Sequence, residues 1–301
     1  MRPRSILCAV TASAALMLAN TPTQAAAPIT VAPGFPGDTA DWRSADKQMF
    51  TTAYGLKTSR VWVTGHRGIL SEVFYPNLST PALRELDFAV LDGNGRATKV
   101  STGAVHVATM RNYDAPLVRF VSTSRDRTWR VTLDCVTDPA RPTVLLDVHL
   151  RSLDGKPRTL VALADPALNN EGADDNGYAG ISTASAYEFD AAVTMQAIPA
   201  FTKTSVGFVG VSDGWTDASN DRKINWRYTS TDLAGNISLT GVLPINGVNS
   251  THATIALGFG ETLKQSRTAA EATLLAGSAT TTKAFTATWQ RYFDTTVRRP
   301  E

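Results

Sequence analysis

The chain has 301 residues, 29 Lys and Arg against 27 Asp and Glu, a net charge of +2 and an apolar fraction of 43%. A chain of this length buries roughly three quarters of its unfolded surface, and the composition excludes both a disordered polyelectrolyte and a membrane-embedded helical protein. No basic stripe is present to suit nucleic acid or an anionic membrane, and both are excluded as partners.

Residues 1–25 read as a secretory signal. Arg2 and Arg4 precede an apolar run from Ile6 to Leu18, followed by polar residues and Ala25-Ala26-Ala27, the charged, apolar and small-residue order of such a segment. Cleavage is expected near Ala25, with Thr23 and Ala25 small at the recognition positions. A run of about 13 residues falls short of the roughly 20 that span a bilayer. Secretion, extracellular or periplasmic, is therefore expected. Loss of Arg2 and Arg4 lowers 29 basic groups to 27, against 27 acidic ones. Cys8 lies inside the signal and leaves Cys135 alone, so no intrachain disulfide is expected. The alternation Trp129, Val131, Leu133, Cys135 makes that thiol a core residue.

Residues 26–58 read as an extended lead-in, because Ala32-Pro33-Gly34-Phe35-Pro36-Gly37-Asp38 is too rich in proline and glycine for a regular element. From 59 to 265 the period is two. Strands are predicted at Arg60–Val63, Leu70–Tyr75, Leu86–Leu91, Val105–Met110, Leu117–Ser122, Trp129–Val136, Val144–Leu150 and Leu160–Ala164. More follow at Ala191–Gln196, Ser205–Val211, Ile237–Leu243 and Ala253–Phe259. Asp92-Gly93-Asn94-Gly95 and Ser152-Leu153-Asp154-Gly155-Lys156-Pro157 each carry the chemistry of a hairpin turn. Many short strands with frequent turn signals and no long amphipathic helix between them predict an all-β antiparallel sandwich or barrel.

In the tail, 266–301, the period changes to a helical one. Thr268-Ala269-Ala270-Glu271 has capping-box spacing, and Gly277 is placed to end that helix. A second helix is predicted from about Thr282 to Thr295, with Phe285, Trp289 and Tyr292 on one face. Two partners fit that face equally: the chain's own sandwich, or a further domain.

Several stretches now align with one family. They are Ala32-Pro33-Gly34 through Ala45-Asp46-Lys47, Ser71-Glu72-Val73-Phe74-Tyr75-Pro76, Thr137-Asp138-Pro139-Ala140-Arg141, Asp165-Pro166-Ala167-Leu168-Asn169-Asn170, Ser212-Asp213-Gly214-Trp215 and Ala234-Gly235-Asn236. In this order they resemble the N-terminal domain of bacterial glucoamylases and glucodextranases, glycoside hydrolase family 15. The likeness implies a large two-sheet antiparallel super-β-sandwich, with the tail as a short helical linker to a catalytic (α/α)6 barrel. That family hydrolyses glucosidic bonds with inversion through two barrel glutamates, a chemistry that needs carboxyls about 6.5 to 9.5 Å apart. No position here matches either glutamate. The expectation is a non-catalytic domain that supports or docks onto an α-glucan-hydrolysing barrel. The alternative is a free-standing protein that binds an α-glucan.

The densest polar stretch is Asp165–Tyr178. Its Asp174-Asp175-Asn176-Gly177 lacks the spacing and closing glutamate of a calcium loop, and no metal or other cofactor is assigned. The resemblance instead suggests Asn169, Asn170, Asp174 and Asp175, with Phe285, Trp289 and Tyr292, as groups facing a partner barrel. For glycan binding the candidates are Trp215 with Asp213 and Asp217, in what reads as a turn; Trp42 and Trp226 are weaker ones. His66, His106, His149 and His252 show no ligand spacing. A sugar epimerase would need an acid and a base across one pocket, which those histidines do not offer by spacing.

Overall fold

A computed structural model describes residues 29–42, 46–54, 57–92, 96–247 and 249–296. The signal with its Ala25 cleavage position, and the Gly93–Gly95 turn, lie outside the described residues. The strands are β1 (Met49–Thr51), β2 (Trp62–His66), β3 (Ile69–Phe74), β4 (Pro81–Asp92), β5 (Arg96–Lys99), β6 (Ala104–Asn112), β7 (Leu117–Ser124) and β8 (Trp129–Thr137). They continue with β9 (Thr143–Ser152), β10 (Arg158–Pro166), β11 (Asn176–Ala179), β12 (Ala184–Glu188), β13 (Ala191–Ile198), β14 (Lys203–Phe208), β15 (Ile237–Val242) and β16 (Ser250–Gly260). The helices are α1 (Val100–Gly103), α2 (Gly214–Asp221), α3 (Leu263–Ala276) and α4 (Ser278–Thr296).

Two eight-stranded antiparallel sheets form the sandwich. The first runs β1-β2-β3-β4-β10-β15-β14, with β5 paired to β4; the second runs β11-β12-β13-β16-β9-β8-β7-β6. Alternation sends Leu86, Phe88 and Val90 of β4 inward to meet Val131, Leu133 and Cys135 of β8 and Leu257 and Phe259 of β16. Cys135 is 2% exposed, and burial raises the pKa of its thiol.

Each sheet also buries part of its outer face, which explains the unbroken apolar runs. Ala89 and Leu91 of β4 and Val161 and Leu163 of β10 lie beneath Ala218 of α2. Leu145, Val136 and Ala256 of the second sheet lie beneath Ala270, Leu274 and Phe285 of α3 and α4. The close approach of α3 requires glycine in β16. A Cβ on Gly258 would stand 2.2 Å from the Ser266 carbonyl oxygen and 2.5 Å from the Ala270 nitrogen.

Three expectations need correction, and two strands go unpredicted. Ser152–Pro157 does not close a hairpin, because β9 belongs to the second sheet and β10 to the first. The turn chemistry is present, with Gly155 at φ 76°, but it reverses the chain into the opposite layer. The lead-in contains a strand, β1, which pairs with β2. The first tail helix starts at Leu263, with Thr262 rather than Thr268 as its cap; the Thr262 hydroxyl accepts from the Gln265 amide at 3.2 Å and the Gln265 side chain from the Glu261 amide at 2.8 Å. Its predicted end holds, with Gly277 at φ 83°. Lastly, β11 and β12, rich in small residues, were not separable from loop.

Candidate functional site

Asp165–Tyr178 divides between interior and surface. Asp165, the penultimate residue of β10, accepts from Arg84, whose Nη2 lies at 2.5 Å and Nε at 3.2 Å. Arg84 also donates to the Asn236 side-chain oxygen, and the Asn236 amide donates to the Asp38 carbonyl at 2.7 Å. With its side chain 3% exposed, Arg84 is a buried cation joining the lead-in, β4, β10 and the start of β15.

Within a 3₁₀ turn at Leu168–Asn170, Asn169 and Asn170 take left-handed backbone with φ of 53° and 65°, a conformation asparagine tolerates. Asn170, Glu171 and Asp174 are exposed. Asp175 is not, which corrects its reading as a surface interface group. Its residue exposure is 0%, because its backbone oxygen accepts from the Gly235 amide at 2.9 Å and draws the chain inward. Neither carboxyl oxygen of Asp175 has a hydrogen-bond partner among the described residues, nor does Oε2 of the buried Glu188. Burial first and the Glu188 charge second raise the Asp175 pKa well above its ordinary value. Burial, then Glu171 and Asp174, push Glu188 up to about 7.

The same end of the sandwich carries an exposed aromatic group that the sequence did not single out. Phe189, at the β12–β13 turn, is 92% exposed, and the Asn169 amide donates to the neighbouring Glu188 carbonyl at 3.4 Å. Loop and turn therefore present Asn170, Glu171, Asp174, Phe189 and Asp190 on one surface. No group of three or more His, Cys, Asp or Glu side chains among the described residues is arranged to hold a metal ion.

Trp215 lies in the first turn of α2, not in an open loop. Asp213 is the helix cap, and its Oδ1 accepts from the Trp215 and Thr216 amides at 2.7 and 3.0 Å. Its Oδ2 accepts from the Gly210 amide at 2.6 Å. Asp217 accepts from the Asn225 and Trp226 amides at 2.7 and 2.8 Å, and burial raises its pKa. The Trp215 ring packs against the outer-face cluster of the first sheet, and Lys99 Nζ stands 5.2 Å from its centroid. Carboxylates that are 4% and 2% exposed and bonded to backbone amides are out of reach of sugar hydroxyls, so the trio is a capped helix start. Trp42, 41% exposed, instead borders a polar hollow of about 240 Å³ shared with Asp41, Glu85 and Lys99.

The aromatic face of α4 packs on the chain's own sandwich. Phe285 is 0% exposed, and Trp289 Nε1 donates to the Thr52 carbonyl at 2.8 Å. Tyr54 closes on Tyr292 with ring centroids 4.3 Å apart. The chain's own sandwich is thus one partner of this face: Phe285 is covered completely and is a packing residue, whereas Trp289 and Tyr292 pack on the sandwich with part of each ring still exposed.

The family described as glucodextranase, domain N, matches residues 32–294. The chain belongs to this family. A glucoamylase from Clostridium sp. (strain G0005) is 25% identical over 265 residues, covering 85% of this chain and 37% of that protein. A crystal structure of a bacterial glucoamylase complexed with acarbose superposes with a TM-score of 0.84 at 24% identity, covering 90% of this chain and 40% of the other. The chain thus spans well under half the length of these relatives, and its sandwich has the fold found in the glucoamylase structure.

Proposed function

We propose that this chain is a secreted, non-catalytic sandwich domain of glucoamylase type that supports or docks onto an α-glucan-hydrolysing (α/α)6 barrel. The observation that carries the reading is the match across 32–294, a domain that accounts for only 37% of the Clostridium glucoamylase. The exposed end formed by Asn170, Glu171, Asp174 and Phe189 is the surface proposed to meet the barrel. A ring 92% exposed costs free energy in water and gains it on burial, about 25 cal/mol per Å² of apolar area covered.

Two measurements test this. The purified chain is expected to release no glucose from maltooligosaccharides, dextran or starch; turnover abolished by a point mutation within the chain would overturn the reading. Mixed with a glucoamylase barrel supplied as a separate chain, the protein is expected to associate in sedimentation velocity. Phe189→Ser combined with Asp174→Ala is expected to weaken that association without changing the melting temperature.

A further inference from the structure

The outer face of the first sheet ends beyond α2 in a pocket of about 460 Å³ that the glucoamylase reading does not use. Ile224 and Val242 give it an apolar floor, and four cations line it: Arg158, Lys203, Arg222 and Lys223. Asp92 is the one carboxylate in the lining, and it accepts from the Arg96 amide at 2.8 Å.

What distinguishes the pocket is how the charges are matched. The nearby acids are occupied: Asp217 by two backbone amides, Asp221 by the Lys223 amide at 3.1 Å, and Asp154 by Arg158 at 2.6 and 2.9 Å. Lys203, Arg222 and Lys223 are not, and Arg158, paired with Asp154, still has one unmatched donor. Arg158 is 5% exposed, and its Nε is buried without an acceptor among the described residues. Lys203 spends one N–H on the Ile224 carbonyl and keeps two. Arg222 and Lys223 are exposed, and their side chains make no hydrogen bond or ion pair to any described residue. Arg222 is held at the rim by the backbone, as the left-handed cap of α2 with φ 67° and its amide on the Ala218 carbonyl.

Unmatched donors around an apolar floor suit one chemical class. We propose that this pocket binds a small organic oxyanion, a phosphate or carboxylate head held by Arg222, Lys223 and Lys203 with its body on Ile224 and Val242. Charge-assisted donors supply most of the attraction, and the volume is in the range of small-molecule sites.

Calorimetric titration of the whole chain with phenyl phosphate, benzoate and inorganic phosphate tests the proposal. Saturable binding of phenyl phosphate or benzoate is expected, and the tighter of the two identifies the head group. Affinity is expected to fall as KCl screens the cations. Arg222→Asn with Lys223→Gln, in which asparagine keeps the left-handed cap, is expected to weaken binding roughly tenfold or more with an unchanged melting temperature. Lys264→Gln, on α3 over the other sheet, serves as a control with unchanged affinity. Absence of saturable heat with all three probes, or equal affinity in the double variant, overturns the site. Inorganic phosphate binding as tightly as phenyl phosphate overturns the role of the apolar floor.

Discussion

Glu188 adds its charge to burial in raising the proton affinity of Asp175, so one end of the sandwich holds two carboxyl groups that resist ionisation. For an acid whose folded pKa is raised, the native state binds more protons than the unfolded state between the two values. Stability then falls as pH rises through that interval. For Glu188 the interval runs from 4.5 to about 7. Melting temperature is expected to decline across it, and Glu188→Gln to flatten the decline and stabilise the protein at pH 8. Parallel pH profiles for the two proteins would remove Glu188 as the cause.

Among the described residues, Asp165→Ala leaves the buried Arg84 guanidinium with the Asn236 oxygen as its one hydrogen-bond partner. Removing one member of a buried pair costs about 3 kcal/mol or more. Urea unfolding of Asp165→Ala beside Arg84→Met with Asp165→Leu checks this, since the apolar double variant is expected to lose less.

Phe285→Ala is expected to cost about 3 to 5 kcal/mol in the isolated chain, because a fully buried ring leaves a cavity between α4 and the second sheet. Trp289→Phe, which removes the indole donor to Thr52 and part of the ring's packing on Tyr54, should cost about 1 kcal/mol or more. Thermal melts of the chain alone check both; a null effect of Phe285→Ala would return that face to a docking role.

Trp215→Ala is expected to lower the melting temperature, through lost packing on the first sheet, without changing affinity for maltooligosaccharides. Saturable calorimetric binding that vanishes in this variant would reinstate the ring as a sugar platform.

Gly258→Ala is expected to cost about 1 to 3 kcal/mol, the range for overpacking a close contact, since the added carbon meets the α3 backbone. Ser266 to Ala270 should show faster hydrogen exchange in that variant.

Strand positions were legible because inward and outward residues alternate with period two, as at Trp129, Val131, Leu133 and Cys135. Pairing was less so. Asp154-Gly155 announces a reversal but carries nothing about which layer receives the next strand. Thr262-Glu261-Gln265 holds capping chemistry as good as that of Thr268 and Glu271, and only packing against Gly258 shows where the helix begins. Asp213-Gly214-Trp215 looked like a sugar platform because a carboxylate beside tryptophan and a carboxylate capping a helix are spelled alike. The burial of Asp175 depends on Gly235, a partner distant in sequence, and was not visible locally.

The central position of β16 in the second sheet bears on synthesis. β16 pairs with β13 on one side and β9 on the other, yet it is the last strand in chain order. Until residue 260 leaves the ribosome, β9 and β13 each present an unpaired edge, the feature that templates aggregation. Chaperone dependence during translation should therefore persist almost to the end of the domain and cease abruptly once β16 is available.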